Sequence, residues 1–200
     1  MTVTKIVITG GPCAGKTEAL AHVRQHFTAK GYTVLCIGET ATELISGGVA
    51  PWSCGSHPVY QNFLLQLQLE KERIFTKAAA TMSAKDVLIF FDRGALDGKA
   101  YMTDADYSAM VTALGTTEKA LLARYDAVFH LTTAAKGKGY TLENNAARTE
   151  TATEAAMVDD RTLSVWENHP HRAVIPCTAD IAQKLDQLTA AITAFLKKEN

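Results

Sequence analysis

The residues with the clearest chemistry are the eight of GGPCAGKT, from Gly10 to Thr17. They match the pattern GxxxxGK[ST], in which glycines let the backbone curl until successive amides point at phosphate oxygens. In this pattern Lys16 reaches the β- and γ-phosphates, and the Thr17 hydroxyl binds Mg²⁺. A glycine-rich turn with a surface lysine is the simpler alternative, but the stretch follows an apolar strand and opens an amphipathic helix, as phosphate binding requires. We therefore predict a phosphate loop formed by Gly10, Gly11, Pro12, Cys13, Ala14, Gly15, Lys16 and Thr17.

A second chemical signal is the pair Asp92 and Arg93, which ends an apolar run. Ligands of open parallel sheets bind beyond the carboxyl ends of the strands. Asp92 is therefore predicted to hold Mg²⁺ together with Thr17, or to accept a proton from the substrate hydroxyl. Arg93 could bind a phosphate or fix a carboxylate. The alternative is that Asp92 caps a helix starting at Ala95, with Arg93 in a surface ion pair.

Glu39 occupies the corresponding position after the second apolar run. A carboxylate at that edge could act as a general base or bind the hydroxyl of a phosphoryl acceptor. Capping of the helix that begins in GETATELI is an equally consistent interpretation.

Basic residues surround the polar, glycine-rich stretch that follows the fourth apolar run. They could form a mobile lid, about residues 133–168, that closes over the transferring phosphate and excludes water. A solvated loop with surface charges is the alternative. The candidates are Lys136, Lys138, Arg148 and Arg161, and the last two are the predicted catalytic residues of this group.

Five short apolar runs supply the elements that must position these residues: Ile6–Ile8, Thr33–Ile37, Asp86–Phe91, Ala127–Leu131 and Ala173–Ile175. The runs are continuous rather than alternating, which is typical of strands covered on both faces. Helical patterns separate them. The sequence therefore predicts an α/β fold of three layers, α/β/α, around a five-stranded parallel sheet in a single domain of residues 1–200.

The longest predicted helix runs from Val59 to Met82. Its helically spaced apolar residues, Phe63, Leu64, Leu67, Ile74 and Phe75, predict a buried face. Leu65 and Leu69 extend this apolar stripe, which suggests burial on more than one side of the helix. A second helix is predicted from about Thr151 to Asn168. Both tryptophans, Trp52 and Trp166, are interpreted as packing residues.

Composition narrows the possible partners. The formal net charge of −1 provides no global basic field, which makes nucleic acid an unexpected partner. The four cysteines contain no CxxC pair, so we expect reduced thiols in a cytoplasmic protein. No run of about 18 apolar residues occurs that could span a membrane.

Several motifs occur together in order: GGPCAGKT, GETATELI, QLQLEKE, FDRGALDGKAYM and ARTETATEAAMVDDRTLSVWENHPHRAVI. The set resembles the AAA-type P-loop domain shared by the ribosylnicotinamide-kinase half of bacterial NAD regulators and the translocation-defect proteins of eukaryotes. The resemblance covers nearly the whole chain. Its DRGxxDxxAY and RTE…DxRTxxxWxxHP segments are more similar to the translocation-defect branch.

The resemblance implies a nucleotide-binding domain. In the translocation-defect branch this domain is joined to a separate lipid-binding domain and is linked to GTP and phosphatidic acid. We expect 200 residues to be too few for the second domain, so we do not transfer the lipid-binding role to this protein. The fourth run ends in His130-Leu131-Thr132-Thr133 and lacks an NKxD-type guanine motif, which favours ATP and leaves GTP possible.

Two functions follow as hypotheses. The first is a Mg²⁺-dependent P-loop NTPase of the small-molecule-kinase type, which transfers phosphate from ATP to an unidentified small acceptor. The second is a nucleotide-binding regulatory switch with slow hydrolysis and a protein partner.

Overall fold

A computed structural model describes residues 2–84, 86–137 and 151–198. In these residues five parallel strands form one sheet in the order β2-β3-β1-β4-β5. The strands are β1 Thr2–Thr9, β2 Thr33–Ile37, β3 Asp86–Asp92, β4 Ala127–Leu131 and β5 Arg172–Ile175. The predicted strands and their parallel arrangement are therefore confirmed.

Helices connect the strands in alternation. They are α1 Lys16–Ala29, α2 Thr40–Ser46, α3 His57–Ala80, α4 Asp104–Ala113, α5 Glu118–Leu122, α6 Ala152–Ser164 and α7 Ile181–Lys198, with short 3₁₀ helices at Asp97–Tyr101 and Ala134–Lys136. Threonine side chains cap the amino ends of α4, α5 and α6, and Thr151 forms a full capping box with Glu154. In the described part of the chain, no helix is long and apolar enough to cross a membrane.

The sheet is covered on both faces because successive strand residues point in opposite directions. Ile6 and Ile8 of β1 pack on one side with α1 and α7. Val7, between them, packs on the other side with α3 and α4. The predicted three-layer architecture is confirmed. Since β1 lies between β3 and β4, the loops that leave these three strands converge at one edge of the sheet.

The buried face of α3 differs from the prediction. Phe63 and Ile74 are 47% and 50% exposed, whereas the residues facing the sheet include Gln61, Gln68 and Glu72. Leu65 is buried and Leu69 and Phe75 pack against the core, so apolar spacing located part of the buried face. It could not show that polar residues also face inward, where Gln68 donates to the Arg93 carbonyl oxygen after β3 and Glu72 accepts from Tyr125 before β4.

Candidate functional site

The phosphate loop (Gly10–Thr17) joins β1 to α1 in a conformation that depends on glycine. Gly10 and Gly15 have φ of 145° and 81°, and Cys13 is also left-handed with φ of 57°. A Cβ added to Gly10 would lie 2.2 Å from the carbonyl oxygen of Leu131. The glycine spacing in the sequence therefore reflects both the required dihedrals and the close approach of β4.

Lys16 folds back over this loop. Its Nζ donates to the carbonyl oxygens of Gly10 and Gly11 at 3.1 and 2.9 Å. Burial and then the nearby positive charge of Arg93 lower the pKa of Lys16 to about 8. A negatively charged phosphate would add a counter-charge, hydrogen-bonded directly to Lys16, to those of the nearby carboxylates of Asp92 and Glu39.

Asp92 ends β3 beside the phosphate loop and is only 8% exposed. Its Oδ1 is buried and accepts no hydrogen bond from the described residues. Burial raises the pKa of Asp92 to about 6, although the positive charge of Lys16 opposes the shift. The next helix begins only at Asp97, so Asp92 does not cap a helix at Ala95.

The buried, unpartnered oxygen of Asp92 fits a role in Mg²⁺ binding. Among the described residues, no cluster of three His, Cys, Asp or Glu side chains could hold a metal ion. Mg²⁺ is commonly bound by one or two carboxylates together with phosphate oxygens and water. Asp92 and Thr17 are therefore a suitable protein contribution to a metal that arrives with a nucleotide.

Arg93 and Glu39 form an ion pair across the ends of β3 and β2. The Nε of Arg93 donates to Oε1 of Glu39 at 2.7 Å, and its NH1 group lies 3.4 Å from the Gly10 carbonyl oxygen. Burial alone would raise the pKa of Glu39, but the charge and hydrogen bond of Arg93 outweigh it and lower the pKa to about 2.

The two interpretations of Glu39 are partly combined in the structure. The residue stands at the amino end of α2, but its side chain makes no capping bond to the helix backbone. Its second oxygen accepts a hydrogen bond from the Thr42 hydroxyl at 2.8 Å. The carboxylate is therefore directed towards Arg93 and the phosphate loop.

Asp97 connects the loop after β3 to β1 and to Trp166 through hydrogen bonds. Its carboxylate accepts hydrogen bonds from Thr9 Oγ1 at 2.8 and 2.9 Å and from Trp166 Nε1 at 2.6 Å. Gly94 packs directly on the Trp166 ring, since an added Cβ would lie 2.6 Å from two ring carbons. These contacts give a structural reason for the DRGxxD and WxxHP motifs, which the sequence could not supply.

Asp159 of α6 contacts the phosphate loop, a role that the sequence reasoning missed. Its Oδ1 accepts hydrogen bonds from the amides of Gly11 and Thr133, at 2.8 and 3.2 Å, and lies 3.1 Å from His130 Nε2. Its Oδ2 accepts from Lys136 Nζ at 2.8 Å. The available signal was the DxRT segment of the family motif, in which Asp159 is the first residue.

Of the four basic residues predicted to form a lid, the structure describes two, Lys136 and Arg161, and their environments differ. Lys136 is bound between Asp159 and Asp160, which raises its pKa through these hydrogen bonds against the effect of burial. Arg161 is exposed, and its position two residues after Asp159 turns it about 200° around the helix. Lys138 and Arg148 lie outside the described residues. A catalytic role for Arg148 or Arg161 stays a prediction.

Two further polar groups are buried without hydrogen-bond partners in the described chain: Tyr60 Oη, which is close enough to Glu39 to feel its charge, and Gln61 Oε1. Burial, followed by the charge of Glu39, raises the pKa of Tyr60. Gln61 Oε1 would be 3.0 Å from a Cβ on Gly98, which places it beside the loop after β3. Trp52, in the loop before α3, is 78% exposed, so it is not the packing residue that we predicted.

Comparison with known structures supports the fold. A deoxyadenosine kinase from M. mycoides with bound dATP superposes with a TM-score of 0.55 at 15% identity, covering 95% of this chain and 100% of that one. The same kinase with bound dCTP gives 0.52 at 14% identity, over 96% and 100%. At such identities the similarity shows a common P-loop kinase fold.

Sequence comparison is more selective. No curated protein matches this sequence. A model of the AAA domain family matches residues 5–184, a range that includes the phosphate loop, Asp92 and Asp159. The resemblance recognised in the sequence is confirmed at this level: the chain belongs to the AAA domain family of P-loop proteins.

Proposed function

We propose that this protein is a Mg²⁺-dependent phosphotransferase that transfers the γ-phosphoryl group of ATP to a hydroxyl of a small, nucleoside-like acceptor. One observation carries the proposal. The Glu39–Arg93 ion pair lies against the phosphate loop, with Arg93 NH1 3.4 Å from the Gly10 carbonyl oxygen. A switch that only senses nucleotide needs no carboxylate at this place, whereas an acceptor hydroxyl requires a hydrogen-bond acceptor there.

The donor side of the site uses the phosphate loop. Its amides and the amino end of α1 bind the phosphate chain of ATP, and Lys16 turns from the loop carbonyls to the phosphates. Thr17 and Asp92 would hold Mg²⁺, which would supply positive charge to the phosphate chain. GTP is the alternative donor, because no described contact selects a base.

The acceptor side uses Glu39 and Arg93. A carboxylate whose pKa is about 2 is a weak base, so Glu39 mainly receives a hydrogen bond from the hydroxyl and orients it. Arg93 keeps Glu39 ionised and adds positive charge beside the phosphate loop. Phosphoryl transfer depends chiefly on such positioning and charge stabilisation.

The acceptor class follows from the surrounding polar groups. Tyr60 Oη and Gln61 Oε1 are buried and unpartnered in the described chain, so an acceptor carrying polar groups beyond its reactive hydroxyl would satisfy them. The fold similarity to deoxyadenosine kinases also supports a nucleoside-like acceptor. The four free thiols are consistent with a cytoplasmic setting.

The decisive experiment measures ATP consumption and product mass across a panel of nucleosides, including ribosylnicotinamide, with and without Mg²⁺. Lys16→Ala should abolish most nucleotide affinity, while the exposed Lys119→Ala should not. Asp92→Asn should fold normally and lose Mg²⁺-dependent turnover. Absence of acceptor-dependent turnover in wild-type protein that still binds ATP would refute the kinase proposal.

Glu39→Gln tests the acceptor side separately. It should raise the acceptor KM or lower kcat by about tenfold or more, since a charged hydrogen-bond partner is removed, while ATP affinity stays unchanged. Glu43→Gln, four residues further along the chain in α2 and paired with Lys71, is the matched control.

The second candidate, a regulatory switch, has one specific observation in its favour. Asp159 joins the phosphate loop directly to α6 and Lys136, so nucleotide binding at the loop could shift α6 and the Lys136 side chain. This function predicts nucleotide-dependent capture of a protein partner and slow hydrolysis without a phosphorylated small product. Hydrogen exchange in α6 with and without nucleotide, together with the product assay, separates the two functions.

A further inference from the structure

The backbone at Arg93 is held in an unfavourable conformation. Arg93 has φ of 72°, in the left-handed region that non-glycine residues seldom adopt. It is also the residue whose side chain joins Glu39 to the phosphate loop. A strained conformation at such a place persists only where surrounding contacts maintain it.

One such contact is the hydrogen bond from the Arg93 amide to the Ile8 carbonyl oxygen at 3.0 Å. The others come from a buried group that we call the Glu72 cluster: Gln68 and Glu72 of α3, and Arg124 and Tyr125 before β4. Gln68 Nε2 donates to the Arg93 carbonyl oxygen at 3.1 Å. The amide of Ala95 donates to Tyr125 Oη at 2.7 Å. The cluster thus holds the backbone on both sides of Gly94.

Glu72 keeps these two holding groups in place. It is 2% exposed, and its Oε1 accepts hydrogen bonds from Tyr125 Oη at 2.6 Å and from Gln68 Nε2 at 3.4 Å. Its Oε2 pairs with Arg124 at 2.7 Å. An ionised carboxylate can only accept hydrogen bonds, so the Tyr125 hydroxyl must act as the donor to Glu72. The lone pairs of the hydroxyl oxygen are then available to accept the hydrogen bond from the Ala95 amide.

The state of Tyr125 supports this arrangement. Burial, and then the negative charge of Glu72, raise the pKa of Tyr125 well above its ordinary value, so the hydroxyl keeps its proton. The ring itself packs edge-on against Phe91 and Trp166. Removing the hydroxyl alone should therefore leave the packing of this region intact.

We infer that Gln68, Glu72 and Tyr125 are positioning residues for Arg93: they impose its left-handed backbone and so direct its guanidinium to Glu39 at the phosphate loop. None of them has a role in the reaction proposed above, and the inference rests on that proposed function for its effect on catalysis. It also explains why the QLQLEKE segment of α3, which contains Gln68 and Glu72, carries polar residues on its sheet-facing side.

The test removes single polar groups: Tyr125→Phe deletes the hydroxyl, and Gln68→Met deletes the amide but keeps the chain length. The matched control is Tyr107→Phe, because Tyr107 is equally buried and its hydroxyl has no partner in the described chain. Wild-type protein should show a slowly exchanging Nε–H resonance in ¹⁵N spectra, assigned to Arg93 by its loss in Arg93→Lys. Solvent exchange of this proton should accelerate by about tenfold or more in both variants and not in the control, the factor typical of one lost buried hydrogen bond.

Kinetics form the second measurement. The acceptor kcat/KM should fall about tenfold in Tyr125→Phe and in Gln68→Met, with the ATP KM unchanged, whereas general loss of structure would affect both substrates. Folded variants with wild-type Arg93 exchange would overturn the inference, whatever the kinetics. Because exchange is measured without substrate, accelerated exchange in the variants of a chain that phosphorylates nothing would support the positioning role and refute only the proposed function.

Discussion

Replacement of Asp159 gives the sharpest test of how α6 supports the phosphate loop. The carboxylate is completely buried and receives hydrogen bonds from two backbone amides, that of Gly11 in the phosphate loop and that of Thr133 after β4, besides its contacts with His130 and Lys136. Asp159→Ala leaves both amides buried without an acceptor. Each such group costs about 1–3 kcal/mol, so a loss of about 2–6 kcal/mol in the free energy of unfolding is expected for the two. In a domain of this size, that loss lowers Tm by about 4–24 °C.

The neighbouring Asp160 provides the control. Like Asp159, Asp160 forms an ion pair with Lys136 Nζ, at 2.6 Å, but the side chain of Asp160 is 70% exposed. Exposed ion pairs contribute about 1 kcal/mol at most, so Asp160→Ala should change stability little. Urea titrations of both variants supply the comparison. If the two substitutions lower the unfolding free energy equally, the assignment of Asp159 as a support of the phosphate loop is wrong.

Asp159→Asn removes the charge of the side chain but keeps its shape, because the amide oxygen of asparagine can still accept hydrogen bonds from the backbone amides of Gly11 and Thr133. The pKa of Asp159 is held far below its usual range: burial would raise it, but the hydrogen bonds from His130, Lys136 and Gly11 outweigh that effect. Its charge therefore adds stability that is fully present above the unfolded pKa of about 3.9 and is lost as pH falls towards the folded value. The difference between wild type and Asp159→Asn should accordingly shrink below about pH 4, and a difference independent of pH would contradict this explanation.

Three further predictions concern single groups around the loop. Gly94→Ala should destabilise the fold by about 1–3 kcal/mol because its Cβ would overlap the buried Trp166 ring, whereas Gly55→Ala, with open space around it, should be neutral in the same thermal melts. The pKa of Asp92 is raised to about 6, so wild type should gain stability relative to Asp92→Asn as pH falls from 6 towards 4, measured by denaturant titration. Lys184→Met should weaken ATP binding, measured calorimetrically, since the buried ammonium donates to the carbonyl oxygens of Ala14, in the phosphate loop, and Thr132, after β4, at 2.7 and 2.6 Å.

The sequence predicted those parts of the site that depend on local chain direction. In a parallel sheet every strand ends at the same edge, so an acidic residue directly after an apolar run can be placed without a structure. Asp92, Arg93 and Glu39 were found in this way, and the structure brings Arg93 and Glu39 into contact. The phosphate loop was predictable for a similar reason, since its glycines are required by local dihedrals.

The remaining parts depend on partners that are distant in the chain. Asp159 contacts an amide 148 residues away, and Glu72 meets Tyr125 across 53 residues. The residue type alone does not show whether a charged side chain is buried or solvated. In α3, moreover, the apolar residues Phe63 and Ile74 are exposed. Periodicity therefore identified α3 as a helix but could not show which of its polar residues face inward.

The two distant contacts hold different sides of the same site. Asp159 acts on the phosphate loop through the Gly11 amide, whereas the Glu72 cluster acts on Arg93 through its carbonyl oxygen. Arg93 NH1 then lies 3.4 Å from the carbonyl oxygen of Gly10, the residue before Gly11. Because the two supports meet at adjacent loop residues, Asp159→Asn and Tyr125→Phe should be non-additive in acceptor kcat/KM, by a coupling of about 0.5–3 kcal/mol. Additive effects would mean that the donor and acceptor sides of the site are positioned independently.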